Sequence, residues 1–179
     1  YLSPRKIGFI ENQNLHSLSN IEYVIVSHPT FKVNAERLAD LHSSIDGLTS
    51  VVVTPAQIYN EFSGGAQDIT AIKEFMRMLY HEADSSGGIK PRYLLLFGDA
   101  SYDYRSIVSS TNHIVPTYES TNSLNLQSSY CSDDYYGYML DKGTVDGSLE
   151  TSKDLDIVTG RIPVATVTEA KSYVEKLLN

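Results

Sequence analysis

The sequence predicts an α/β fold: a mostly parallel sheet with helices on both faces. Short β-branched or apolar runs alternate with longer stretches in which apolar residues recur every three or four positions, the signature of successive strand–helix–strand units. The run Tyr93-Leu94-Leu95-Leu96-Phe97 is apolar throughout, as a strand covered on both faces requires. The chain has 179 residues, 41% of them hydrophobic, which is enough for one core, so residues 1–179 read as a single domain.

The elements follow in order. Ile21 to Ser27 is a β-branched run stopped at His28-Pro29, because proline has no N–H for the ladder. Asn34 is the expected cap of a helix in which Ala35, Leu38, Leu41 and Ile45 share a face, closed by Gly47. Val51-Val52-Val53 forms the second strand and ends at Thr54-Pro55; the stretch around Ile58 and Phe62 receives no element. Asp68 caps the strongest helix, with Ile69, Ile72, Phe75, Met76, Leu79 and Ala83 in one stripe. Gly87-Gly88 and Pro91 then turn the chain into the third strand, Tyr93–Phe97. The fourth strand is expected at 156–160, followed by Arg161-Ile162-Pro163. Thr166 with Glu169 makes a capping box for a last helix striped by Val167, Ala170, Val174 and Leu177. The right-handed rule for βαβ crossovers places helices on both faces.

Residues 99–154 differ in character. They form a long Tyr-rich region without sustained periodicity, broken only at Ile114-Val115 and Tyr136 to Leu140, and excursions of that length are usually functional. They also hold the charge. The chain carries 22 acidic against 14 basic side chains, a net charge of -8. From Asp99 to Asp156 ten acids face only Arg105, Lys142 and Lys153, so the rest of the chain is nearly neutral. This balance speaks against nucleic acid or an anionic membrane surface as partner, since both need clustered Lys and Arg. No apolar run approaches the roughly 20 residues of a membrane-spanning helix, so no membrane insertion is expected. The chain begins at Tyr1 without Met and closes on Leu177-Leu178-Asn179 inside a helical pattern, which reads as an excerpt of something longer.

Ligands of parallel sheets gather at the carboxyl edge, where His28, Thr54, Asp99 and Arg161 fall. Asp99 follows a firm strand and Gly98; either it serves a site or it caps its own loop. Arg161 either binds a carboxylate or forms a buried ion pair with a loop acid, the second being the stronger reading. Cys131 and His113 are the pair to test as a nucleophilic dyad, but Asp133 and Asp134 beside the thiol disfavour its thiolate. The preferred reading is a small, partly buried, inert cysteine. Gly64-Gly65 lacks the Lys of a phosphate loop. The loop acids offer hard oxygen ligands suited to calcium, against the alternative of a solvated acidic loop.

Several segments together resemble the gingipain family of cysteine peptidases: Asn12-Gln13-Asn14-Leu15, Ile58 to Gly65 with Asp68, Tyr93 to Asp99, Ser132-Asp133-Asp134-Tyr135-Tyr136-Gly137, and Gly160-Arg161-Ile162-Pro163 with the helix to Lys176. Within that family they are most similar to the surface sortase of the Bacteroidetes type IX secretion system. The resemblance implies a caspase-like sheet of which this chain is the N-terminal subdomain. It also implies a His in a His-Gly motif and a Cys, each after later strands, as the catalytic pair. No histidine here is followed by glycine and Cys131 is out of place, so no catalytic residue is assigned in this chain. By position the resemblance implies calcium ligands at Asp99, Asp141 and Asp146. It further implies a cell-surface or secreted location and secreted protein cargo as substrate, with the remaining half of the peptidase domain as partner. The isolated chain is expected to be inactive. A non-enzymatic surface or interaction module on the same fold is the alternative, and a flavodoxin-like or receiver-like small-molecule domain a weaker third.

Overall fold

The computed structural model describes residues 8–9, 12–101, 103, 115–120, 124–125, 127–139 and 154–178. Strands β1 (Tyr23–Ser27), β2 (Ser50–Val53), β3 (Tyr93–Phe97) and β6 (Val158–Ile162) form one parallel sheet in the order β2-β1-β3-β6. Two further short strands, β4 (Tyr118–Glu119) and β5 (Cys131–Ser132), pair antiparallel outside it. Helices α1 (Lys32–Asp46), α2 (Pro55–Phe62), α3 (Ile69–Ser86) and α4 (Val167–Leu178) complete the fold.

Side-chain alternation along the strands separates two cores. Val24, Val26, Leu94 and Leu96 face the layer built by α2 and α3, where Ile58, Ile72, Phe75 and Met76 are fully buried. Tyr23, Ile25, Phe97 and Ile162 face the layer of α1 and α4, against Phe31, Leu38, Ala170 and Val174. Both faces of the sheet are therefore covered, as expected, and each fully buried aliphatic side chain contributes on the order of 1.5–3 kcal/mol.

Four local differences from the sequence reading have physical causes. Helix α1 starts ahead of Asn34, which is buried inside it. The chain turns at Pro29–Phe31 first, with the His28 ring accepting the Thr30 N–H, and the fixed φ of Pro29 starts the helix early. Helix α2 occupies the stretch left without an element: Thr54 Oγ1 accepts the Gln57 N–H while Gln57 Oε1 accepts the Thr54 N–H at 2.9 Å, with Pro55 in the first turn. That capping box was present in Thr54-Pro55-Ala56-Gln57. Strand β6 starts at Val158 because the N–H groups of Asp156 and Ile157 both donate to the Gly137 carbonyl at 3.1 Å. Lastly, the α4 stripe is narrower than expected: Ala170 and Val174 are fully buried, but Val167 and Leu177 are about half exposed, as is most of Ile45 on α1.

The acidic region is partly core. Val115, Tyr136 and Met139 are fully buried, and the Tyr136 hydroxyl donates to the Pro116 carbonyl at 2.8 Å. Tyr136 lies on a 3-10 turn, Asp133–Gly137, packed on β6 and α3. Gly137 is required there, since a Cβ would sit 2.6 Å from the Ile157 carbonyl oxygen.

Candidate functional site at the carboxyl edge

Of the residues expected at this edge, two are helix caps. Thr54 closes the capping box of α2, and His28 accepts the Thr30 N–H through Nδ1 at 3.3 Å. Asp99 caps its own loop by accepting the N–H of the next residue, Ala100, on Oδ1 at 2.8 Å. Its backbone is fixed on both sides, the N–H donating to Val164 O at 3.1 Å and the carbonyl accepting from Val115 N–H at 2.8 Å.

Arg161 is the organising residue. It sits opposite Leu96 in the β3–β6 ladder, and because Ile162 faces α1 and α4, alternation sends Arg161 to the other face. Its side chain is only 11% exposed. The guanidinium grips Asp133 bidentately, Nε to Oδ2 at 2.7 Å and Nη2 to Oδ1 at 2.8 Å. Nη1 donates to the carbonyls of Val115 at 2.7 Å, Gly98 at 3.0 Å and Asp99 at 3.3 Å, and Nη2 reaches Pro116 O at 3.3 Å. A guanidinium has five N–H donors in a planar fork, and here every nitrogen is engaged. The ion pair with a loop acid that the sequence suggested is thus present, with Asp133. Arg161 stitches the end of β3, the 115–116 segment and the Asp133 turn together, which occupies it structurally rather than leaving it for a substrate carboxylate.

Beside this knot stands an aromatic group. Tyr118 stacks on Tyr135 with ring centroids 4.7 Å apart, and the Lys73 ammonium lies 4.6 Å from the Tyr135 ring centre. Burial first, then Asp68 and Glu74, push the Tyr135 hydroxyl up to about 12. Burial also raises the Glu119 carboxyl.

Cys131 is exposed, which corrects the expectation of partial burial. It lies on β5 opposite Glu119, in a pairing only two residues long at the surface. His113 lies outside the described residues, as do Asp141 and Asp146. Of the three implied calcium ligands, Asp99 alone can be placed; its carboxylate fits as one hard oxygen ligand, while its carbonyl already faces the Arg161 guanidinium. Among the described residues no group of three or more His, Cys, Asp or Glu could hold a metal ion, and no helix is long and apolar enough to cross a membrane.

One engaged acid escaped the sequence reading. Glu61 sits in the last turn of α2, where the helix dipole disfavours a negative charge. That misplacement was the available signal. Its partners lie far back in the chain: the N–H of Leu15 to both carboxylate oxygens at 2.9 Å, the N–H of His16 at 3.3 Å, Gln13 Nε2 at 2.9 Å and His16 Nδ1 at 2.7 Å. Burial pushes its carboxyl up, but these hydrogen bonds outweigh that and hold it down at about 2.

The parallel sheet with helices on both faces is the caspase-like arrangement of gingipain-type peptidases. Residues 16–179 match the model of peptidase family C25, and the chain belongs to that family. The particular likeness is to the crystal structure of dimeric latent PorU from Porphyromonas gingivalis, with a TM-score of 0.84 and 32% identity over 98% of this chain. The match covers 17% of the PorU chain, so this chain spans about a sixth of that protein. No curated protein matches it.

Proposed function

We propose that this chain is the noncatalytic N-terminal half of a gingipain-like cysteine peptidase domain. In this reading the complete protein is a surface sortase of type IX secretion that removes C-terminal sorting domains from secreted cargo. The observation that supports it is the Arg161–Asp133 lock, which lies within the residues 16–179 that match the family and ties the Asp133 turn to β6 at the sheet's carboxyl edge. The position of β6 at the edge of the sheet, with Val158 61% exposed, is consistent with further strands beside it.

The chemistry would come from the remaining half. There a His would take the proton of a Cys, whose thiolate attacks the scissile carbonyl carbon. The amine leaves, and water or an amine of surface polysaccharide accepts the acyl group. The present residues supply a fixed wall. Asp99, with Asp141 and Asp146, would hold calcium as a structural ion. A native-state ligand raises the melting temperature by mass action, so millimolar calcium is expected to raise it relative to chelator; equal values would remove calcium from this account.

The test of the main reading is cleavage of cargo carrying a sorting domain by the full-length protein and its Cys131→Ser variant. Both are expected to cleave, and a thiol-blocking reagent to stop both. Loss of cleavage in Cys131→Ser alone, with the fold intact, would place the nucleophile in this chain. A full-length protein that binds cargo without cleaving it would favour the non-enzymatic module.

A further inference from the structure

We infer that residues 12–17 form a strap that opens and closes as its own unit, with the Glu61 carboxylate as its lock. Among the described residues the contacts that hold it are concentrated on one helix end. Leu15 is the one strap side chain sunk into the core, 7% exposed against the α2–α3 layer. The polar contacts from the strap to the body converge on the end of α2: the N–H groups of Leu15 and His16, Gln13 Nε2 and His16 Nδ1 meet Glu61. Gln13 also donates to Gln57 O at 2.6 Å and accepts from Asn60 Nδ2 at 3.5 Å. Above them the His16 ring lies flat on Phe62, centroids 4.6 Å apart and planes 9° from parallel.

This geometry separates the strap from the body energetically. Among the described residues its backbone joins no strand of the sheet; the short 3-10 turn Leu15–Ser17 bonds to its neighbours Asn14 and Leu18, and its remaining backbone bonds run to Glu61. Segments secured by few buried groups open sub-globally, at a fraction of the free energy of global unfolding. Opening would withdraw Leu15 and uncover the Phe62 ring. It would also remove His16 from the wall of a cavity of about 250 Å³ shared with Glu74, Arg77, Met78 and His81. Because the strap precedes β1, tension or binding on the chain ahead of it acts directly on the α2–α3 face. The lock joins Gln13, Leu15 and His16 to the end of α2, and it lies away from the Arg161 knot.

Native-state hydrogen exchange on the whole chain tests this, because the Leu15 and His16 amides report on the lock itself. Those amides are expected to exchange through an opening with a smaller denaturant slope than the amides of β3. Hydrogen bonds to a charged group are individually strong enough that Glu61→Gln should speed their exchange by about tenfold to a hundredfold, leaving β3 unchanged. Should that variant fold poorly, His16→Ala removes the imidazole contact and the stacking while keeping the carboxylate, and should speed the same two amides by a few-fold. Exchange of Leu15 and His16 with the same slope as β3, or exchange unmoved by whichever variant folds, would overturn the inference.

Discussion

Arg161 and Glu61 solve the same problem with opposite chemistry. Arg161, all donors, collects four carbonyls and a carboxylate from three segments at the carboxyl edge. Glu61, all acceptor, collects backbone and side-chain N–H groups from one segment on the α2–α3 face. The Arg161 knot includes Tyr136 and Val115, both fully buried, so it is part of the core, whereas the Glu61 lock holds down a strap with a single buried side chain. A charged group that unites several core segments should therefore fail globally when broken, and one that secures a strap should fail locally.

The largest effect is expected at the knot. Arg161→Ala takes from the Asp133 carboxylate its guanidinium partner and from the Gly98 and Val115 carbonyls their Arg161 N–H, while Asp99 O keeps the Val115 N–H and Pro116 O keeps the Tyr136 hydroxyl; breaking a largely buried pair from one side costs about 3–5 kcal/mol. Urea unfolding should show that loss across all probes, and a loss confined to the 115–120 segment would contradict the global role. Gly137→Ala tests the same region by packing. Its Cβ would meet the Ile157 carbonyl oxygen at 2.6 Å, a backbone atom that cannot swing aside, and overpacking of this kind costs about 1–3 kcal/mol.

The lock responds to acid. The Glu61 carboxyl sits at about 2 in the folded chain against an ordinary value of 4.5. A depressed carboxyl stabilises the fold fully above its unfolded value, and that contribution fades as pH falls from about 4.5 to about 2. The difference corresponds to at most about 3 kcal/mol. Unfolding curves across this window should therefore fall more steeply for the wild type than for Glu61→Gln, and parallel curves would show that Glu61 is not the titrating group. The smallest effect belongs to Thr54→Ala, which removes one side of the α2 capping box and should cost about 1 kcal/mol, read as a small drop in melting temperature.

Legibility in the sequence follows the same division. Strands β1 and β3 were readable because cover on both faces leaves continuous apolar runs, and the partly buried edge strand β2 from its three consecutive valines; the caps at Asp68, Gly47, Gly87 and Thr166–Glu169 use local chemistry that spacing alone reveals. Helix α2 carries its signal in Thr54-Pro55-Ala56-Gln57, but Pro55 reads equally as the stop of the strand before it, which hides the helix start. The Arg161–Asp133 pair was anticipated in kind, but its partner and the four carbonyls were not. Contacts that join residues 28, 46 and 63 positions apart depend on how strands and loops come together, and local pattern does not encode that. Glu61 was hidden for the same reason, its partners lying 45 to 48 residues away. The exposure of Cys131 could not be read from its neighbours, because it depends on a two-residue strand pairing with Glu119.

The central claim, that this chain frames a peptidase site without holding its nucleophile, is tested most directly by proteolysis with the isolated 179-residue chain before and after alkylation of its only thiol, Cys131. The account predicts no peptide-bond cleavage in either state and an unchanged fold after alkylation. Cleavage that disappears on alkylation of Cys131 would contradict it.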